Sequence, residues 1–195
     1  MNELGFVIVL DGPRCVGRAT TLAALQRAWP DVRSGPLLEA GLARTLASFG
    51  TGTRRWRELV LPSIPAGGQP AATAPHHVGW GPLGRELVVG MHRAAAAWAH
   101  AGLDVAVDHV LLDHLTARDL AEALAGLPSL HVGLVCDPEV LEDRERATRG
   151  GGFGTAVAQL EATRDVAARD LVLDTTEATT EELVALILTE VARRS

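Results

Sequence analysis

The chain has 195 residues, with 18 basic against 24 acidic side chains and a formal net charge of −6. That length suits one domain with a sizeable core, and the acidic balance argues against an electrostatic nucleic-acid or anionic-membrane partner. Two cysteines make no disulfide scaffold, the apolar runs are too short to span a bilayer, and no leader pattern is visible, so a cytoplasmic protein is expected.

The elements follow from periodicity. Residues 6–10, Phe-Val-Ile-Val-Leu, form a short apolar β-rich run and predict a buried strand. Leu22, Leu25 and Trp29 recur at helical spacing, so a helix is expected over 18–29, closed by Pro30. A short second strand is expected over 31–34 and a helix over 36–49, with Leu37, Leu38, Leu42, Leu46 and Phe49 along one side. Residues 50–81 are rich in Gly and Pro, and a loop of that length predicts a lid, a substrate-binding loop or a disordered segment. A long helix is expected over 82–101, burying Leu83, Leu87, Met91, Ala94, Ala95 and Trp98 and ending at Gly102.

A strand follows over 105–111. Thr116 and Asp119 read as a capping-box-like start to a helix ending near Gly126. The remainder reads as a strand over 130–136, a helix over 138–149, a glycine break at 150–152, a helix over 155–169 and a strand over 171–174. Thr179 and Glu182 cap a last helix that runs to Arg194. Strands thus alternate with helices throughout, which predicts one α/β domain with a parallel sheet of about five strands covered on both faces. Its middle strand is the one at 6–10. Ligands of such sheets sit at the carboxyl ends of the strands. Here those ends are residues 11–17, 108–109, 136–137 and 174–176.

The first of these ends carries a pattern. A phosphate-binding loop reads G-x-x-x-x-G-K-[ST] between a strand and a helix. Gly12 and Gly17 stand in that register, but Arg18 holds the lysine position and Ala19 the hydroxyl position. The glycines let backbone N–H groups curl around an anion, and the helix adds its positive end. Arg18 keeps the charge with a wider, planar head. Thr20 replaces the missing hydroxyl only if the helix begins one residue late. The chain contains no lysine at all, so Arg18 also reads as a lysine replaced under an arginine-biased composition.

Three stretches carry a resemblance to a known family: "AGLDVAVDHVLL" at 101–112, "VGLVCDPEVLEDRERATRG" at 132–150 and "DLVLDTT" at 170–176. With the loop, they resemble the chloramphenicol phosphotransferase family, a branch of the P-loop kinases. The resemblance implies a P-loop kinase-like three-layer αβα sandwich. It also implies an ATP- and Mg²⁺-dependent phosphotransferase acting on a hydroxyl of an antibiotic-like small molecule. It places Gly12, Gly17, Arg18 and Thr20 at the nucleotide, and Arg144 and Arg149 in the lid. The sequence departs from the family at the chemistry. The acid expected after the second strand is replaced by Gly35 and Pro36, with Glu39 a helical turn further on. The lid ends in "ATRGGG", and the second acid of the third-strand pair is His109. Two alternatives therefore stand beside the kinase: an enzyme of specialised metabolism repurposed on the same fold, and a catalytically silent pseudokinase.

Asp108 and His109, at the end of a strand beside the loop, are the candidate catalytic pair: Asp108 to order Mg²⁺ through water or to act as a base on substrate, His109 for acid–base chemistry. The bland reading of Asp108 is a strand-end cap. Asp113 and His114 follow closely, but their spacing matches no strong metal motif, and no metal site is assigned. His76 and His77 in the long loop, and Arg54, Arg55 and Arg57, read as solvated residues or as substrate contacts. Cys15 reads as a small filler of the loop rather than a nucleophile, for want of a base partner.

Overall fold

The computed structural model describes residues 3–35, 60–62, 78–148 and 154–194. The elements in chain order are β1 (Val7–Asp11), α1 (Arg18–Ala28), β2 (Arg33–Gly35), β3 (Val60–Pro62), β4 (Val78–Trp80), α2 (Pro82–His100), β5 (Val105–His109), α3 (His114–Ala123), β6 (Ser129–Val135), α4 (Pro138–Ala147), α5 (Thr155–Thr163), β7 (Leu171–Asp174) and α6 (Thr180–Arg194). Five strands form one parallel sheet in the order β2-β5-β1-β6-β7. β1 lies in the middle, as its unbroken apolar run requires, since only a strand covered on both faces and paired on both edges buries every residue. The expected sandwich is therefore present.

Each strand sends alternate side chains to opposite faces. Ile8, Leu10, Ala106, Leu130 and Leu134 pack against Leu22 and Leu25 of α1 and Ile187 and Val191 of α6. Val7, Val9, Val105 and Val107 pack on the other face under Ala95 and Ala99 of α2 and Leu120 of α3. Truncating a buried leucine in such a core costs about 2–5 kcal/mol, from lost transfer energy and the cavity left behind.

Four local expectations need correction. The buried stripe of α2 is turned by about one residue. It consists of Gly84, Val88, Met91, His92, Ala95, Ala96 and Ala99, while Leu87 and Trp98 are exposed. Small residues let this helix approach the sheet, and the hydrogen bonds of His92 hold it inward. The N-cap of α3 is Asp113, whose carboxylate accepts the Thr116 N–H at 2.9 Å, so the Thr116–Asp119 box does not form. The helix expected to reach residue 169 stops at Thr163. Arg169 folds back to donate to the carbonyls of Thr163 at 2.5 Å and Arg164 at 3.1 Å, closing the helix end. Finally, the long insertion contains β3 and β4, paired antiparallel. The helix expected over 36–49, Glu39, Arg54, Arg55, Arg57, His76, His77 and Arg149 lie outside the described residues.

Candidate active site at the carboxyl end of the sheet

β1 ends at Asp11 and the chain turns at once. The Gly12 N–H donates to the His109 carbonyl at 3.3 Å, and a Cβ on Gly12 would sit 2.6 Å from the Leu134 carbonyl oxygen. Only glycine allows this approach. Cys15 and Gly17 then take left-handed conformations, with φ of 62° and 103°, and α1 starts at Arg18. A non-glycine residue at positive φ is strained by about 1 kcal/mol or more. The left-handed turns at Cys15 and Gly17 curl the backbone as in loops whose N–H groups bind anions. The N–H groups of Cys15, Val16 and Gly17 meet no acceptor among the described residues. The Arg14 N–H, by contrast, donates to Oε1 of Gln159 on α5 at 2.7 Å. A neutral amide oxygen thus occupies one edge of the cradle.

Arg18 turns under the loop rather than toward its mouth. It is 5% exposed, its Nη1 donates to the His109 carbonyl at 2.6 Å, and it lies 4.0 Å from Oδ2 of Asp108, itself 1% exposed. A buried guanidinium needs acceptors for its fixed fork of donors, and the end of β5 supplies a carbonyl and a carboxylate. Because α1 begins at Arg18, Ala19 takes the hydroxyl position, and Thr20 stands exposed on the helix. The residues thus fit a phosphate chain held by backbone N–H groups. They do not fit a protein-bound Mg²⁺. Ala19 offers no oxygen, and among the described residues no group of three His, Cys, Asp or Glu side chains is placed to hold a metal ion.

His109 follows Asp108 and therefore points to the opposite face. It is fully buried, and its Nε2 lies 2.7 Å from Nε2 of His92 on α2, whose Nδ1 lies 2.6 Å from Oδ2 of Asp119 on α3. Burial, aided by the neighbouring His92, pushes the His109 pKa down to about 3, and burial lowers that of His92 too. Both rings are neutral at pH 7. Beside them Asp11 accepts the Leu111 N–H at 2.9 Å and Arg169 Nη2 at 2.8 Å. Burial opposes the Asp11 charge, but the His131 contact, the Leu111 amide and Arg169 outweigh it and hold its pKa below the ordinary value. Sequence reasoning missed His92, Asp119, Asp11 and Arg169.

The lid side is built differently. Arg144 of α4 donates to the Thr175 hydroxyl at 3.0 Å and carbonyl at 2.7 Å, and its Nη1 lies 3.4 Å from Cys136 Sγ. It ties α4 to the loop after β7. Asp137 caps α4, and its N–H donates to Thr176 Oγ1 at 2.9 Å. A cavity of about 520 Å³ opens here, lined by Val135, Cys136, Asp137, Asp174 and Thr176. Glu145, 3% exposed, accepts the N–H groups of Gly154 at 2.9 Å and Ala156 at 3.1 Å, joining α4 to the start of α5. Asp113 and His114 are spent locally. The first caps α3 and pairs with Arg85, and Nδ1 of the second lies 3.1 Å from the Val166 carbonyl. No helix among the described residues is long and apolar enough to cross a membrane.

Several solved structures share this fold, kinases among them. The APS kinase of Mycobacterium tuberculosis, solved with AMPPNP and APS, superposes with a TM-score of 0.62 at 15% identity, covering 98% of this chain and 99% of its own. A sugar kinase from Janibacter sp. superposes with a TM-score of 0.60 at 18% identity, covering 95% and 93%. The tunicamycin resistance protein of Deinococcus radiodurans gives a TM-score of 0.57 at 20% identity, covering 95% of each chain. At these identities the likeness establishes the fold, a P-loop kinase fold. No curated protein sequence matches. The family described as chloramphenicol phosphotransferase-like protein matches residues 5–192, and the chain belongs to it.

Proposed function

We propose that the chain binds ATP at the loop from Gly12 to Arg18 and transfers the terminal phosphoryl group to a hydroxyl of a small molecule. One observation carries this reading: the backbone of residues 15–17 is curled into a cradle with its N–H groups available, directly before a helix N-terminus. Those groups grip phosphate oxygens whatever side chains the loop bears. The negative phosphate chain competes with Asp108 for the Arg18 guanidinium, which neutralises charge as the missing lysine would. Asp108 shares the loop's face of the sheet, so it is the carboxylate that orients the acceptor hydroxyl and takes its proton. His109 stands behind the site, not in it. The cavity beside Asp137 and Asp174 receives the base, next to the Arg144 anchor.

A second reading, binding without transfer, is favoured by Gln159 on the Arg14 amide and by the burial of Arg18 against β5. Calorimetric titration with ATP, GTP and ADP, with and without Mg²⁺, tests the first step, and ADP release in the presence of small-molecule alcohols tests the second. Binding with turnover supports the kinase. Binding without ADP release supports the silent relative. No binding of any nucleotide overturns both.

A further inference from the structure

We propose that His92 and Asp119 are positioning residues for the phosphate loop, fixing the ring of His109, whose carbonyl oxygen seats both Arg18 and Gly12. The proposal rests on the reading of the loop as a phosphate site. Its basis is a continuous chain of contacts. Asp119, one quarter exposed on α3, meets His92 Nδ1 at 2.6 Å; His92 Nε2 meets His109 Nε2 at 2.7 Å; the His109 carbonyl accepts from Arg18 at 2.6 Å and from the Gly12 N–H at 3.3 Å.

The protonation states follow from the chemistry. A carboxylate only accepts, so Nδ1 of His92 carries the hydrogen. His92 is neutral, so its Nε2 presents a lone pair, and the His109 ring donates its Nε2–H to it. The chain therefore allows one tautomer at each ring. Nδ1 of His109 is then a buried lone pair with no hydrogen-bond partner among the described residues. Apolar side chains would fill this space without that cost. A buried polar chain does what they do not: it holds one ring in one orientation. That orientation matters because His109 pairs in register with Asp11, immediately before the loop, and because its carbonyl is the contact shared by the loop's first glycine and its cation.

The test compares wild type with His92→Leu and His92→Gln. Leucine breaks both bonds. Glutamine rebuilds both, its amide N–H meeting Asp119 and its carbonyl accepting the His109 Nε2–H. ATP affinity is expected to fall about tenfold in the leucine variant and to return to within about twofold of wild type in the glutamine variant. A merely space-filling role would make leucine the better replacement. Imidazole ¹⁵N spectra at pH 7 are expected to show His109 protonated at Nε2 alone and His92 at Nδ1 alone. Should the leucine variant not fold, Asp119→Ala at the surface end gives the same comparison, with an expected loss of about threefold. Unchanged affinity in the leucine variant, glutamine no better than leucine, or the opposite tautomers overturns the proposal. If wild type binds no ATP, the loop reading fails. The positioning claim is then judged on the guanidinium N–H signal of Arg18. That signal is expected to be protected in wild type and the glutamine variant and lost in the leucine variant; protection in all three sinks it.

Discussion

Asp108 and His109 are neighbours in sequence and lie on opposite faces of one strand. On the α1 face, Asp108 meets Arg18 beneath a loop whose N–H groups at residues 15–17 meet no acceptor among the described residues. On the α2 face, His109 is sealed among His92, Asp119 and the sheet, with its ring neutral. The first face holds the charges that the proposed phosphate site would use. The second holds the scaffold that fixes where those charges stand. A single step along a strand divides the two, so residue proximity in sequence is a poor guide to which side chain meets the substrate.

The largest effect that sharpens this contrast lies on the sealed face. Arg169→Met leaves the buried Asp11 carboxylate without its guanidinium partner, and removing one member of such a pair costs about 3–5 kcal/mol. Urea unfolding at pH 7 should show a loss of that size, and a loss below about 1 kcal/mol would place the pair among exposed bridges instead. The pH dependence has two parts. Asp11 ionises below its ordinary value in the fold, so its contribution is complete above about pH 4 and is lost as pH falls through the lowered folded value.

His109 acts over a higher range. Its folded pKa of about 3 lies below the ordinary 6.5, so the unfolded chain binds the proton first. Stability is complete above pH 6.5 and is lost progressively as pH falls toward 3. His92 adds to this slope in the same direction. Replacing His109 with glutamine should flatten the slope; an unchanged slope would locate the titrating group elsewhere.

Smaller effects belong to the ligand-facing side. Gln159→Leu removes the oxygen that occupies the Arg14 N–H, and ATP affinity should rise about threefold by calorimetry. A fall would make Gln159 a supporting contact rather than a competitor. The smallest change is expected from Arg18→Lys combined with Ala19→Ser. It restores the ammonium and the hydroxyl of the common loop and should keep or raise ATP turnover by about twofold. Lost activity would mean that the guanidinium grips a different ligand.

Much of the fold was readable in the residues. The apolar runs gave β1 and β6 nearly to the residue, and Thr179 with Glu182 marked α6 because a hydroxyl and a carboxylate three apart bond each other's backbone. Local propensity extends the helix past Thr163 because it carries no record of Arg169 turning back to Asp11, a contact across 158 positions. Gly133 was a missed hint: a Cβ there would lie 1.9 Å from the Arg169 side chain, so a strand glycine marked the crossing. The loop was legible because its glycines answer to backbone geometry. The destination of Arg18 was not, since a motif fixes where a residue starts and not which acceptor it finds. His92 was hidden because a lone histidine within an apolar helix looks like any partly polar surface residue. A signal existed nonetheless, for Val88, Ala95 and Ala99 place position 92 on the buried stripe.

The central claim is that the backbone of residues 15–17 remains a phosphate cradle despite Arg18 and Ala19. Amide ¹H–¹⁵N spectra of the wild-type chain, recorded while ATP and then AMP are added, test it most directly. The account predicts the largest shifts at Cys15, Val16 and Gly17 with ATP, a concurrent shift at Arg14 as Gln159 is displaced, and weak shifts at these positions with AMP. Saturating ATP that leaves these amides unmoved, while other parts of the protein shift or nothing does, would contradict it.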